Sequence, residues 1–339
     1  MESPEKYMRR AVELALRGMG LTSPNPMVGA VIVAPDGRVI GEGWHRKYGS
    51  AHAEVNAVDS VRKADRDLLT QSTLYVTLEP CSHYGKTPPC AKMIIEKGIR
   101  HVVVGVLDPF ESVSGRGIEM LRKAGVKVDV GVLAKECEAV CEKFITAHRR
   151  RLPFVTLKWA QSADGFIDDN VPGHPHKFSD LLNTTLVHRL RSLHDMILIG
   201  SQTALNDNPM LNCRLWAGRS PRPVIVDRRK RVEVSMLRAD DPLIIHDCED
   251  VESVLGKLYE SGATSVLVEG GAKMLQSFID AGLWDEARVE TTFERLAIKG
   301  GVEAPHIDNS YLRKEARIGG NSVRWYENLN MKSRPKNVL

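Results

Sequence analysis

Three separate segments of the sequence carry side chains that can bind zinc. His52 supplies an imidazole, and Cys81 and Cys90 supply thiols that each follow a proline. Three protein ligands leave the fourth position of zinc open for a water molecule, whose pKa falls toward neutrality there. The three residues therefore predict a catalytic zinc site and not a closed structural one.

Glu54 is predicted to carry protons beside this metal and not to bind it. Residues i and i+2 of a helix point about 200° apart, so His52 and Glu54 converge only where a helix begins. Pro88 and Pro89 place Cys90 at another helix start, where the helix dipole favours thiolate. The alternative makes His52 a helix cap and the thiols buried apolar groups. It requires three segments to coincide by chance, and we reject it.

The His-x-Glu segment followed by Pro-Cys is similar to the pattern of zinc-dependent nucleobase deaminases. In those enzymes an activated water attacks an amidine carbon while the glutamate transfers protons. The second spacing differs, since residues 82–89 separate Cys81 from Cys90 and the common form is Cys-x-x-Cys. The remaining cysteines fit a buried structural role, namely Cys137, Cys141, Cys213 and Cys248.

A second candidate site is a phosphate cradle late in the chain. Residues 115–117 begin a Rossmann pattern but reach Met120 where its third glycine belongs, so they are interpreted as a turn and helix start. Residues 266–271 form an apolar run that ends in Glu-Gly-Gly. Glycines there would let a pyrophosphate approach the N–H groups at a helix start. A plain strand-to-helix turn has the same pattern, so this alternative stays open.

Hydrophobic periodicity predicts the elements that position the first site. A helix over 4–18 and a hairpin of strands 28–34 and 37–44 come first. Helices 52–63, 89–97, 115–124 and 134–149 then alternate with strands 73–78, 101–107 and 126–132. This alternation is typical of βαβ crossovers. A run of cations over 148–151 before Pro153 indicates a helix end, so a domain boundary is predicted near residue 150.

The second half starts an α/β pattern again. Strands are predicted over 154–160, 196–199, 224–226, 243–245, 265–268 and 287–292, and helices over 180–194, 251–260 and 272–281. Residues 161–178 are rich in glycine, aspartate and proline and are expected to form a functional loop. A second α/β domain is therefore expected over 151–339.

Composition limits the class of protein. With 339 residues, 42% of them hydrophobic, the chain should hold about two domains with real cores. Its 47 basic and 43 acidic residues form no charged block, which disfavours an extended nucleic-acid groove. The acidic start does not fit a signal peptide, and no uncharged run of membrane-spanning length occurs. We therefore expect a soluble, cytoplasmic protein with reduced cysteines.

The first half closely resembles the deaminase half of the bifunctional deaminase/reductases of riboflavin biosynthesis. The resemblance rests on residues 23–29, 52–54 and 80–90, and the long spacing between the cysteines is this family's own form. It implies a cytidine-deaminase-like three-layer αβα domain over 1–150. This domain would use Zn2+ to remove an amino group from a phosphoribosyl diaminopyrimidine.

The same resemblance implies which residues contact that substrate. Asn25 and His45 would contact the pyrimidine, Lys86 would contact the ribosyl phosphate, and His83 would line the pocket. The alternatives are a turn residue between two prolines for Asn25 and exposed loop side chains for His45 and Lys86.

The second half resembles the reductase half of the same family over most of its length. The matching segments are 154–160, 162–165, 187–191, 203–209, 268–271 and 299–301. The resemblance implies a dihydrofolate-reductase-like α/β domain over 151–339 that uses NADPH to reduce the ribosyl side chain to ribityl. The residues implied for the cofactor are Ala160, Thr203, Asp207, Arg228, Gly271, Ala272, Lys273, Met274, Leu275, Gln276 and Ser277.

The residues implied for the reductase substrate are Arg191, Leu211, Arg214 and Glu269. Arg191 and Arg214 suit a ribose phosphate, because guanidinium presents a fork of donors to phosphate oxygens. Solvated arginines are the alternative. Lys158 is predicted to contact the ribose near the carbon that accepts hydride, and a charged residue at a strand end is its alternative.

One segment departs from the family pattern. Residues 175–178 are Pro-His-Lys-Phe where members often carry a serine and then a tryptophan, so the contacts of loop 168–178 do not follow from the resemblance. His174 and His176 are interpreted as surface residues and not as a second metal site. The basic run 228–231 fits either the 2′-phosphate of NADP or a solvated turn.

Two other functions compete with a bifunctional enzyme. A nucleic-acid-editing deaminase shares the zinc chemistry but needs a basic groove, which the near-neutral second half disfavours. The second domain could instead be a non-catalytic nucleotide-binding regulator. We expect a small phosphoribosyl pyrimidine as the partner, with no nucleic acid and no membrane, and a homo-oligomeric protein.

Overall fold

Two large sheets organise the chain. A computed structural model describes residues 3–84, 88–110, 114–169, 171, 176–296 and 301–330. The chain divides into a first unit, Met1–Arg149, and a second unit, Arg150–Leu339. A five-stranded sheet lies in the first unit, and an eight-stranded sheet lies in the second together with a strand pair.

The first unit has the predicted alternation of helices and strands. Its elements are α1 (Pro4–Leu16), β1 (Gly29–Val33), β2 (Val39–Trp44), α2 (Ala53–Asp59), a 3-10 helix (Lys63–Gln71), β3 (Thr73–Leu78), α3 (Cys90–Glu96), β4 (His101–Val106), α4 (Arg116–Lys123), β5 (Lys127–Val130), α5 (Ala134–Val140) and α6 (Glu142–Arg150). The strand order is β2-β1-β3-β4-β5. Strand β1 is antiparallel to β2 and β3, whereas β3, β4 and β5 are parallel.

Side chains that alternate along the strands build a core on each face of this sheet. Ile32 and Leu74 pack with helices α2, α3 and α4 on one face. Val31 and Tyr75 pack with α1 and α5 on the other face. Because successive strand residues point to opposite faces, this pattern requires two helical layers. It confirms the three-layer αβα fold that was predicted for the first half.

The second unit also follows an α/β pattern. Its elements are β6 (Phe154–Gln161), β7 (Phe166–Asp168), α7 (Leu181–Ser192), β8 (Met196–Gly200), α8 (Ser201–Asp207), β9 (Arg222–Val226), a 3-10 helix (Val234–Met236), β10 (Leu243–Ile245), α9 (Val251–Glu260), β11 (Ser265–Gly270), α10 (Ala272–Asp280), β12 (Glu286–Thr291), β13 (Val302–Glu303), β14 (Ser310–Ile318) and β15 (Asn321–Asn328). The large sheet has the order β10-β9-β8-β11-β6-β12-β15-β14.

The parallel strands of the second unit end at one edge of the sheet. Strands β10, β9, β8, β11, β6 and β12 are parallel to their neighbours, and β15 and β14 are antiparallel. Gly200 and Gly270 are the last residues of the adjacent strands β8 and β11. Ligands of such sheets bind beyond the carboxyl ends of the strands, so this edge is where a site is expected.

Several predicted elements differ from the structure. The helix predicted over 134–149 is two helices that Cys141 separates, and the Cys141 thiol donates to Met27 O at 3.0 Å. The helix predicted over 52–63 ends at Asp59. The hairpin of β14 and β15 was missed, because β14 is an exposed edge strand and lacks an alternating apolar face. In the described part of the chain, no helix has the length and apolar character needed to cross a bilayer.

Candidate active sites

Three elements of the first unit bring together the residues that were predicted to bind zinc. His52 precedes α2, Cys81 follows β3, and Cys90 is the first residue of α3. His52 Nδ1 lies 3.6 Å from Cys81 Sγ and 3.3 Å from Cys90 Sγ. All three ligand atoms lie within 4.8 Å of one another. One nitrogen and two sulfur atoms in this arrangement fit a zinc ion.

Hydrogen bonds shift the charge states of this group. A hydrogen bond from Cys90 lowers the pKa of the Cys81 thiol to about 4. A hydrogen bond to Cys81 raises the pKa of His52 to about 9. The His52 imidazole makes no capping bond within the described helix α2 and faces the two thiols. The chemistry of this donor set favours a cation, since a thiolate is the form of cysteine that binds metal.

Glu54 lies in the first turn of α2, two residues after His52. Its side chain is only 3% exposed, and burial raises its pKa to about 7. The charges of His52 and Cys81 and a hydrogen bond with Cys90 also act on this pKa, so the carboxyl group lies near the ligand cluster. A helix start therefore directs both His52 and Glu54 toward one centre.

Asn25 and His45 meet next to the three ligands. Asn25 Nδ2 lies 3.3 Å from His45 Nε2, and His45 Nδ1 lies 3.1 Å from Ala51 O. Since a carbonyl oxygen only accepts, Nδ1 of His45 carries the proton and Nε2 accepts from the Asn25 amide. The His45 and His52 rings are in edge contact, with centroids 5.6 Å apart. These two residues thus form one wall beside the ligand cluster.

His83 is exposed, and Lys86 lies outside the described residues. Asp108, which sequence reasoning missed, is 9% exposed, and burial raises its pKa to about 6. The charges of His83 and Cys81 also act on this carboxyl group. The sequence held a signal for this residue, because Asp108 and Cys81 both follow the carboxyl ends of strands that are predicted to be parallel neighbours, β4 and β3.

A cavity of about 870 Å³ lies at the expected edge of the second unit. Most of the predicted cofactor residues line it, namely Ala160, Thr203, Asp207, Arg228, Gly271, Ala272, Lys273, Met274, Leu275 and Ser277. Lys158 and Glu269 line it as well. This volume is in the range of sites for small molecules and cofactors.

The two glycines at the junction of β11 and α10, Gly270 and Gly271, have the geometry of a phosphate cradle. Gly270 has φ +153°, and Gly271 is the N-cap residue of α10. A Cβ atom on Gly271 would lie 3.1 Å from Thr203 Oγ1, inside the space between α10 and α8. A side chain would fill this space, whereas glycine leaves the N–H groups of the helix start open to an anion.

The guanidinium group of Arg191 is held by partners within the protein. Its Nε and Nη2 atoms donate to Glu269 Oε1 and Oε2 at 2.8 and 2.7 Å, and Nη1 donates to Asn212 O at 3.1 Å. The side chains of Arg191 and Glu269 are only 12% and 9% exposed. The structure thus pairs two predicted substrate residues with each other.

Three other predicted residues, Leu211, Arg214 and Gln276, are not among the described residues that line this cavity. Leu211 is buried in the cluster that contains Ile197 and Ile199. Arg214 is exposed and donates to Asn212 Oδ1 at 3.2 Å. Gln276 donates to Asp280 Oδ1 and accepts from His306 N.

Lys158 sits among charged neighbours in the cavity wall. Burial lowers its pKa, while Glu269 and Glu290 act in the opposite direction. Asp168, which was missed in the sequence, also lines the cavity, and its Oδ1 atom is buried with no hydrogen-bond partner among the described residues. Its charge adds to burial in raising the pKa of Asp207.

The segment that departs from the family pattern reaches the same cavity. His176, Lys177 and Phe178 line it. His176 pairs with Asp169 at 3.3 Å and stacks on the Phe178 ring, while His174 lies outside the described residues. The interpretation of His176 as a surface residue agrees with its exposure, and its side chain borders the cavity as well.

The basic run after β9 lies at the same cavity. Arg228, Arg229 and Arg231 are among its lining residues. Arg231 donates to Gln202 Oε1 and Ser201 Oγ, both at 3.0 Å. Arg231 therefore contacts helix α8, while Arg228 and Arg229 are exposed in the turn that follows β9.

Comparisons with known proteins match both units. Residues 1–106 match the cytidine and deoxycytidylate deaminase zinc-binding region, and residues 153–291 match the RibD C-terminal domain. Riboflavin biosynthesis protein RibD of Bacillus amyloliquefaciens is 39% identical over 89% of this chain and 87% of its own length. The Aquifex aeolicus RibD is 36% identical over 84% of this chain and 85% of its own length.

Solved structures agree with these matches. A Thermotoga maritima diaminohydroxyphosphoribosylaminopyrimidine deaminase/5-amino-6-(5-phosphoribosylamino)uracil reductase superposes with a TM-score of 0.84 at 38% identity, covering 96% of this chain and 98% of that one. Acinetobacter baumannii RibD gives 0.86 at 28% identity, covering 95% and 98%. The chain therefore belongs to the RibD family of riboflavin biosynthesis proteins and is a bifunctional enzyme, with a deaminase domain followed by a reductase domain.

Proposed function

We propose that this chain catalyses the two reactions named for the Thermotoga maritima relative, one in each unit. The part up to residue 150 hydrolyses the 2-amino group of 2,5-diamino-6-(5-phosphoribosylamino)pyrimidin-4-one. The part from residue 151 reduces the ribosyl group of the product to ribityl with NADPH. The observation that carries this proposal is the convergence of His52, Cys81 and Cys90 beside the buried carboxyl of Glu54.

In the first unit, His52, Cys81 and Cys90 would hold zinc. When bound, zinc supplies Lewis-acid activation of a water molecule in its open fourth position. Glu54 takes a proton from the attacking water and passes protons to the ring nitrogen and to the departing amino group. A C–O bond forms at the ring carbon as its C–N bond breaks, and ammonia leaves.

Asn25 and His45 orient the pyrimidine. Because His45 Nε2 accepts from Asn25 Nδ2, the amide of Asn25 is fixed with its oxygen available as an acceptor. That oxygen would accept a hydrogen bond from an N–H group of the substrate. Lys86 would pair with the ribosyl phosphate, and His83 would lie on the same side of the pocket.

In the second unit, Gly270 and Gly271 at the end of β11 would hold the pyrophosphate of NADPH at the start of α10. The lack of a side chain at Gly271, where a Cβ would crowd Thr203 Oγ1, and the size of the cavity fit a dinucleotide there. When bound, NADPH supplies the hydride that reduces the sugar carbon. The sugar ring opens first: the bond from this carbon to the ring oxygen breaks, the oxygen takes a proton, and the attached nitrogen gives one up to form a carbon–nitrogen double bond. The carbon then accepts the hydride while the nitrogen takes a proton, and Lys158 would donate a hydrogen bond to the sugar oxygen near that carbon.

The Arg191–Glu269 pair would orient the substrate as a unit. Arg191 fixes the carboxylate of Glu269 in the cavity wall through two hydrogen bonds. A carboxylate held in this way is a rigid acceptor for sugar hydroxyls. Because Glu269 engages Arg191, the exposed Arg214 is our candidate among the two predicted arginines for the ribose phosphate.

Mass analysis of product tests this function. The purified protein and the diaminopyrimidine alone should give a product in which one amino group is replaced by oxygen. Addition of NADPH should give that product with two more hydrogen atoms. If NADPH binds but is not oxidised with deaminated substrate, the second unit is a regulator. A homo-oligomeric state and a cytoplasmic location stay predictions, which light scattering and cell fractionation would measure.

A further inference from the structure

Glu79 is a buried carboxylate that the proposed deamination does not use. It follows β3 and directly precedes Pro80 and Cys81. Its side chain is in the core, with the residue only 4% exposed. A buried carboxylate is costly unless its oxygens are hydrogen bonded, so its partners indicate what it does.

Each oxygen of this carboxylate accepts hydrogen bonds from two backbone N–H groups. Oε2 accepts from Asp108 at 3.2 Å and from Gly115 at 2.9 Å. Oε1 accepts from Gly117 at 3.0 Å and from Ile118 at 3.2 Å. Three of these donors belong to the start of α4, where the first N–H groups have no partner within the helix.

Glu79 therefore caps a helix to which it does not belong. The N-cap residue of α4 is Gly115, which has no side chain to accept these bonds. The positive end of the helix dipole also offsets the negative charge of the carboxylate. One side chain at the end of β3 thus fixes both the segment after β4 and the start of α4.

The start of α4 also touches the backbone that carries Cys81. A Cβ atom on Gly117 would lie only 2.0 Å from Pro80 O, so the helix rests directly on this carbonyl. The backbone N–H of Asp108 donates to the Glu79 carboxylate. The charges of His83 and Cys81 also act on the pKa of the Asp108 carboxyl group, so this group lies near them. The position of Cys81 and that of Asp108 are thus tied to the same carboxylate.

We propose that Glu79 is a positioning residue of the deaminase site. Its carboxylate locks Pro80, Asp108 and the start of α4 together, so that Cys81 Sγ is held at the distance from His52 and Cys90 that a metal requires. This role rests on the proposed zinc site. The competing role is purely structural, in which Glu79 stabilises α4 without affecting the metal.

Glu79→Gln tests the proposal, since glutamine keeps the shape but turns an amino group toward two N–H donors. We expect zinc affinity to fall roughly 10- to 100-fold, the range typical when a group that orients a metal ligand is lost, which would appear as faster transfer of zinc to a chelator. The visible absorption bands of the cobalt-substituted protein should shift. NADPH-dependent reduction of deaminated substrate should not change.

Glu119→Gln is the matched control. Glu119 lies on the same helix, is exposed and pairs with Lys123 at 2.7 Å, so its loss should change neither zinc transfer nor the cobalt spectrum. Gly117→Ala keeps the Glu79 side chain but presses its new Cβ on Pro80 O and on Glu79 Oε1, so it should shift the cobalt spectrum as Glu79→Gln does. If Glu79→Gln does not fold, the cobalt spectrum of Gly117→Ala tests the proposal instead.

An unchanged cobalt spectrum and zinc transfer rate in a folded Glu79→Gln or Gly117→Ala protein would overturn the proposal, even if its melting temperature falls. Failure of the zinc site itself gives a different result. In that case the unaltered protein would hold no zinc, or Cys81→Ser would retain it.

Discussion

The backbone N–H of Cys90 donates to Cys81 Sγ over 3.3 Å, although nine positions separate the two residues. This N–H group belongs to the first residue of α3, so the positive end of that helix points at the Cys81 sulfur. The contact stabilises thiolate at Cys81 and joins the two cysteines at one point. The long spacing between them is therefore compatible with a single metal site.

Loss of one sulfur should empty this site. We expect Cys81→Ser to lose most of its zinc, because His52 and Cys90 alone are too few ligands for tight binding. Metal analysis of the purified variant measures this directly. Cys248→Ser is the control, since Cys248 lies in the second unit and should leave zinc content unchanged. Undiminished zinc in Cys81→Ser would refute the ligand assignment.

Glu54→Gln should separate proton transfer from metal binding. Glutamine keeps the size of the side chain but cannot accept a proton, so deamination should fall about 100-fold or more. Zinc content should remain, because Glu54 is not assigned as a ligand. Reduction of deaminated substrate should be intact. Full deaminase activity in this variant would remove Glu54 from the mechanism.

Gly271→Val should weaken NADPH binding. The new side chain would enter the space beside Thr203, where a pyrophosphate is expected. Loss of a few charge-assisted hydrogen bonds of about 1.5 to 3 kcal/mol each implies a Kd raised by roughly two orders of magnitude or more. Gly256→Val is the control, because a Cβ there meets nothing within 4 Å. Fluorescence titration with NADPH gives both values, and a normal Kd in Gly271→Val would show that the cradle is misplaced.

Lys158→Met should slow reduction while NADPH still binds. Methionine keeps an unbranched side chain in the cavity wall but cannot donate to the sugar oxygen. We expect the single-turnover rate of NADPH oxidation to fall about 100-fold, the lower range for loss of a proton-donating group. Stopped-flow absorbance measures this rate, and an unchanged rate would favour the view that Lys158 is only a charged residue in a strand.

Glu269→Gln should destabilise the second unit. It leaves the Arg191 guanidinium buried without its ionic partner, which typically costs about 3 to 5 kcal/mol. Glu315→Gln removes an exposed carboxylate that pairs with Arg324 and should cost far less, because water screens an exposed ion pair. Denaturant unfolding of the two variants compares these free energies, and equal losses would contradict the buried pair.

The sequence predicts the elements that carry apolar periodicity and the residues of the zinc cluster. Strand β3 and helix α9 begin and end at the predicted residues, since buried strands and amphipathic helices have clear patterns. The hairpin of β14 and β15 could not be predicted, because a sheet edge exposes both faces of β14. The hydrogen bonds of Glu79 and the Arg191–Glu269 ion pair also could not be predicted from the sequence, because they depend on how distant segments pack.

Mixing two variants tests most directly whether one chain holds two independent sites. Gly271→Val with the diaminopyrimidine and NADPH should accumulate deaminated intermediate, and Glu54→Gln should leave the starting compound unchanged. The two variants together should form the ribityl product, as mass analysis would show. If folded Gly271→Val makes no intermediate, or if the mixture forms no ribityl product, the assignment of one reaction to each unit is wrong.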